Sequence, residues 1–122
     1  NAFYEVFIKE KQVGFEAVKA EYEALAKANE NSWRILFAIA NVFSYNEYFK
    51  EAIPMWQKTF DCMPKPRYTD SFEAMAQCYV RMGDHESAVE YYKKELELLR
   101  EDWGLKYGAE VDALEEKIRA LQ

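Results

Sequence analysis

Between residues 33 and 100 the apolar positions recur in two matched sets. Leu36, Ile39, Ala40 and Phe43 follow one another at steps of three, one and three, which at about 100° per residue gathers them on one helical face. Phe72, Met75, Ala76 and Tyr79 repeat that spacing 36 residues later. The same shift aligns Ala52, Ile53, Trp56, Lys58 and Phe60 with Ala88, Val89, Tyr92, Lys94 and Leu96. Asn46 in one copy and Gly83-Asp84 in the other interrupt the pattern, so each copy predicts two helices joined by a short turn. The small side chains of Ala52 and Ala88 permit those helices to approach closely. A hairpin of this kind buries its apolar face only against a neighbour, so a repeat of fixed period predicts a stack.

The pattern extends in both directions. Thirty-four residues before Ala52, Trp56 and Thr59 stand Val18, Tyr22 and Leu25, which predicts a helix over 15–28 as the second half of an earlier, degenerate copy. Its first helix is expected over Phe3 to Lys11, with Gly14 either a connection or a weak point in one longer helix. After Leu99, residues 102–108 read as a loop, and Val111, Leu114, Ile118 and Leu121 recur at helical spacing, which predicts a capping helix over 109–121. Pro54 falls inside a predicted helix, where it removes a donor and crowds the Lys50 carbonyl, so a bend or a late helix start is expected, with Pro54 in the first turn.

A helical hairpin of about 34 residues carrying an aliphatic, a small residue and an aromatic on its first helix resembles the tetratricopeptide repeat. The first copy carries the resemblance in Leu36, Ala40, Phe43, Ala52, Trp56 and Pro64, the second in Phe72, Ala76, Tyr79, Gly83, Ala88 and Tyr92. The two extra residues of the period fit the connection Pro64-Lys65-Pro66-Arg67. Thr59 and Glu95 stand where the family prefers a small residue, which predicts looser packing there. The resemblance implies an all-α fold: antiparallel hairpins stacked as a short right-handed solenoid with a C-terminal capping helix. One domain would then span 1–122, with a degenerate repeat at about 3–31, repeats at about 33–64 and 69–100, and the cap at about 109–121.

Composition narrows the chemistry. The 122 residues are 50% hydrophobic and 16% aromatic, too apolar for a disordered chain. Only 4 Gly and 3 Pro are present, too few for a barrel or sandwich of short strands. A net charge of −6 repels phosphate backbones and anionic bilayers, which argues against direct nucleic-acid or membrane binding. No apolar run is long enough to cross a bilayer and no secretion signal is visible. Cys62 and Cys78 sit among apolar residues and read as reduced packing residues in a cytoplasmic protein. The chain begins Asn1-Ala2 without Met, a start of the kind left when a tag is cleaved from a truncated protein, which predicts further sequence upstream.

Catalytic groups are not evident. The lone His85 sits in a turn without a partner constellation, the cysteines lack metal-ligand spacing, no Gly-rich phosphate loop occurs, and Glu115-Glu116 and Glu86/Glu90 read as solvated faces. The expectation is a protein without enzymatic activity, cofactor or metal. Opposite the core stripe, Arg34, Ala38, Asn41 and Tyr45 share a face, and Asp70, Ala74, Gln77 and Arg81 form the equivalent stripe one copy later. Stacking would align the two stripes as walls of a concave surface. Ala38 and Ala74 admit an extended peptide, Asn41 and Gln77 hydrogen-bond its backbone, and Arg34 and Arg81 take a carboxylate, giving Arg34, Ala38, Asn41, Tyr45, Gln77 and Arg81 as the candidate peptide site. The same residues also suit the solvent face of an amphipathic helix.

Chaperone-binding relatives of the tetratricopeptide family carry a clamp of Lys, Arg and Asn on this surface. Asn41 matches it, whereas Phe37 and Glu73 do not, so that activity is not carried over. The expected function is a protein-interaction scaffold. The alternative is the sensing or dimerisation fragment of a bacterial helix-turn-helix transcription regulator, which the chain resembles in Leu98-Leu99-Arg100-Glu101-Asp102-Trp103-Gly104 and the Val111-Asp112-Ala113-Leu114 helix. Phe3, Tyr4 and Phe7, if uncovered, would favour a homodimer.

Overall fold

The computed structural model describes residues 1–122 as seven helices: α1 (Ala2–Val13), α2 (Phe15–Ala28), α3 (Trp33–Tyr45), α4 (Phe49–Cys62), α5 (Asp70–Arg81), α6 (His85–Trp103) and α7 (Ala109–Leu121). α1 with α2, α3 with α4 and α5 with α6 pair as hairpins, α4 packs on α5, and α7 closes against α6. The apolar stripes read from the sequence are largely the buried ones, with Tyr79, Ile53, Val89 and Leu96 only partly covered. Leu36, Ile39, Ala40 and Phe43 of α3 are buried with Ala52, Trp56 and Phe60 of α4. Phe72, Met75, Ala76 and Cys78 of α5 are likewise covered, and Tyr92 and Leu99 of α6 join Val111, Leu114 and Ile118 of α7 in a smaller second cluster.

Backbones of α2 and α3 approach sparsely, so aromatic side chains hold the first hairpin to the second. Phe15 meets Phe43 edge-on at 5.2 Å between centroids and Tyr48 at 5.3 Å, and Tyr22 meets Phe43 at 6.5 Å. Around this cluster Lys19 pairs with Glu51 at 2.9 Å and Lys58 with Glu30 at 3.3 Å. Phe3 lies 5.9 Å from Tyr22 and 5.9 Å from Phe7, so the first-helix aromatics are not uncovered as a set. Tyr4, Ile8 and Val13 of α1 face solvent broadly.

Three expectations are corrected. α4 starts at Phe49, five residues before Pro54, so the proline lies in the second turn and the helix neither starts late nor holds it in its first turn. Pro54 and Lys50 are both exposed, so solvent can take the place of the donor that the proline lacks. α6 continues through Asp102 and Trp103 and ends at Gly104, φ 66°, so the loop is shorter than the run 102–108. Packing at Thr59 is not loose: it is fully buried and its hydroxyl donates to the Met55 carbonyl at 2.7 Å.

The two inter-helix turns are built alike. Tyr48 N–H donates to the Phe43 carbonyl, and Asp84 N–H to the Tyr79 carbonyl, each at 2.9 Å. The left-handed residue inside each turn is Glu47, φ 66°, in the first copy and Gly83, φ 80°, in the second. A Cβ at Gly83 would meet no atom within 4 Å, so its substitution carries only the conformational cost of the left-handed region. Gly83→Ala should therefore lower the unfolding free energy by about 1 kcal/mol, read as a shift of the urea midpoint without a change of slope.

Candidate functional site

The outward stripe of α3 divides by neighbourhood. Asn41 and Tyr45 are exposed, Tyr45 at 84%, and with Phe7, Glu10 and Lys11 of α1 they bound a groove of about 240 Å³. Glu10 is fixed there, accepting a 2.6 Å hydrogen bond from the Tyr22 hydroxyl. Burial first, then this carboxylate, holds the Tyr22 phenol well above its ordinary range. Ala38 is half-buried, and exposed Arg34 lies 4.9 Å from the centroid of Trp33. Gln77 is exposed on α5 outside the groove.

Arg81 has an occupant already. Its Nη2 pairs with the Glu47 carboxylate, and its guanidinium lies 5.0 Å from the Phe49 ring centroid. Both members of the pair are more than half exposed, so the pair is weak and open to exchange with an incoming carboxylate. The structure thus gathers Asn41 and Tyr45 into one groove, and leaves Arg34, Ala38, Gln77 and Arg81 beyond it. The contribution of α1 was not legible, because Phe7, Glu10 and Lys11 belong to the least regular copy.

The two positions that depart from the clamp pattern have structural partners. Phe37 packs edge-on against Trp56 at 5.1 Å, and Glu73 accepts from Lys117 of α7 at 2.9 Å. His85 is the exposed first residue of α6, beside Asp84, whose carboxylate caps the helix by accepting from the Ser87 N–H at 3.1 Å and its hydroxyl at 2.7 Å. Cys62 and Cys78 are both free thiols. Burial pushes the Cys78 thiol up, while Ser44, 3.7 Å away, opposes the rise.

A second polar feature escaped the sequence pattern. Arg67, in the α4–α5 connection, donates from Nε and its backbone N–H to Asp102 Oδ2, each at 2.8 Å, and from Nη2 to Oδ1 at 3.0 Å. The Asp102 side chain is 1% exposed, and these hydrogen bonds hold its carboxyl down at about 2. Trp103 Nε1–H donates to the Arg67 carbonyl at 2.7 Å. The residues were conspicuous in the tail motif, yet their partner lies 35 positions away.

Glu95 is the remaining anomaly. It is 4% exposed on α6, and its Oε1 has no hydrogen-bond partner. Burial first, then the negative charge of Glu73, pushes its carboxyl up to about 8, with Glu110 and Asp70 adding to the rise and Lys117 opposing it.

Residues 71–102, nearly all of α5 and α6, match the tetratricopeptide repeat family. No curated protein matches the chain. No helix is long and apolar enough to cross a membrane.

The charge state of Glu95 links packing to pH. Its carboxyl binds a proton more tightly folded, at about 8, than unfolded, at about 4.3, so its contribution to stability is fullest below the unfolded value and falls as pH rises to about 8. Glu95→Gln should raise the melting temperature at pH 8 and flatten its decline from pH 5. Parallel melting profiles for the two proteins would show that the carboxylate is compensated where it stands.

Proposed function

We propose that this chain, a tetratricopeptide-like helical-repeat protein, is a non-catalytic scaffold that binds a peptide or partner protein along the outward stripes of α3 and α5. The observation that carries the reading is the groove between α1 and α3, where Asn41 and Tyr45 stand beside Phe7 and Lys11. The amide of Asn41 supplies both a donor and an acceptor for an extended backbone, as does Gln77 on the next stripe. Tyr45 offers a broad ring surface of the kind enriched where side chains anchor. Half-buried Ala38 leaves room for close approach between them.

Charge is distributed for a mixed ligand. Lys11 presents a cation in the groove beside Asn41, and Arg81 exchanges Glu47 for a ligand carboxylate at small cost because that pair is solvent-exposed. The net charge of −6 opposes nucleic acid and anionic membranes as partners. Two free thiols suit a reducing, cytoplasmic setting.

Panning a displayed peptide library on the folded chain, then measuring a selected peptide by fluorescence polarisation, tests the reading. The double variant Asn41→Ala, Tyr45→Ala should weaken that peptide at least tenfold while its melting temperature stays within a few degrees of the parent. Undiminished affinity in the folded double variant would place the site elsewhere.

A further inference from the structure

The α4–α5 connection, the start of α5, the end of α6 and the start of α7 border an open cavity of about 350 Å³, lined by Leu99, Leu105, Tyr68, Trp103, Asp70 and Glu110. The two rings are large apolar groups left about half exposed, Tyr68 at 50% and Trp103 at 46%. They stack at 6.3 Å with 27° between planes. Trp33 extends the row, 5.7 Å from Tyr68. The Trp103 ring is held in place by its hydrogen bond to the Arg67 carbonyl, and the segment carrying Tyr68 by the Arg67–Asp102 pair. These surfaces are therefore ordered without a ligand, which spares the cost of fixing them on binding.

What these groups lack is a cation. Cations of this chain approach the rings of Phe7, Trp33, Phe43, Tyr48, Phe49, Phe60, Tyr91 and Tyr92, but neither Tyr68 nor Trp103. Neither Asp70 nor Glu110 forms an ion pair. Arg67 is engaged with Asp102 and Lys117 with Glu73. Glu95, one turn before Leu99, is buried outside the cavity lining, with Asp70 and Glu110 among its charged neighbours. No set of three acidic, His or Cys groups converges to ligate a metal ion, whereas aromatic faces beside carboxylates match an organic cation.

We propose that this cavity receives a cationic side chain, an arginine or lysine borne by a basic peptide segment of a partner protein. The cation lies against the Trp103 and Tyr68 faces while its N–H groups donate to Asp70 and Glu110. Its hydrocarbon stem covers Leu99 and Leu105. The net charge of −6 favours the approach of such a segment. This site is separate from the α1–α3 groove and stands without it.

The probe is a capped tripeptide of three arginines, titrated at low ionic strength while the Trp103 indole N–H resonance is followed. A saturable shift is expected, weakened at least fivefold by Asp70→Asn with Glu110→Gln, by Tyr68→Ala, and not by Glu115→Gln with Glu116→Gln on the solvent side of α7. The carboxamide pair preserves shape and decides the matter if Tyr68→Ala lowers the melting temperature. No saturable shift, an equal loss with the Glu115 and Glu116 pair, or an equal response to three glutamates would overturn the proposal.

Discussion

Four alanines without measurable exposure, Ala40, Ala52, Ala76 and Ala88, set how closely these helices lie. At each of these sealed positions a larger side chain would need space that the packed helices do not leave. Trp56 shows how polar atoms are accommodated under that constraint. Its ring is 2% exposed, and its Nε1–H donates at 2.9 Å to Ser44 Oγ, which also lies 3.7 Å from Cys78 Sγ. One hydroxyl thus joins α3, α4 and α5 and leaves the indole donor satisfied.

The repeat also dictates where the irregularities fall. With both hairpins in register, the extra length sits between α4 and α5, and an extended connection needs its own anchor because few of its backbone groups have helical partners. Arg67 supplies it through three hydrogen bonds to one carboxylate. Asp102 belongs to the last turn of α6, so this ion pair ties the beginning of one hairpin to the end of the same hairpin. Trp103 then closes over the connection. The cavity beside it is a product of that closure rather than of the repeat.

Legibility from sequence follows the same division. The α3 and α5 stripes were readable because 3.6-residue periodicity expresses burial directly, and their recurrence fixed the hairpins of α3–α4 and α5–α6. Pro54 misled because an exposed proline in a second turn costs one hydrogen bond to a carbonyl that water reaches, which is less than a helix end would cost. Asp102 and Trp103 misled because an end signal at Gly104 outweighs turn-like neighbours only when the left-handed glycine is seen in place. Asn41 and Tyr45 were legible as outward residues, but the opposing wall was not: α1 buries no residue completely, so its sequence bears little periodic pressure to reveal which face meets α3.

Charge is where local rules and global arrangement part. The carboxylates of Glu47 and Glu73 find partners on neighbouring helical elements, Arg81 and Lys117. Asp102, nearly sealed from solvent, takes the one bidentate guanidinium and stays ionised to about pH 2, so the connection it anchors keeps its shape through mild acid. Glu95 receives none, and burial moves its carboxyl up to about 8. Glu95 is therefore protonated at neutral pH, and the unpaired carboxylates of Asp70 and Glu110 stand near it, beside two aromatic faces that Arg67 and Asp102 hold in place. No cation of this chain pairs with Asp70 or Glu110 or lies over the Tyr68 or Trp103 ring, so recognition of a cation at that end is left to whatever a partner brings.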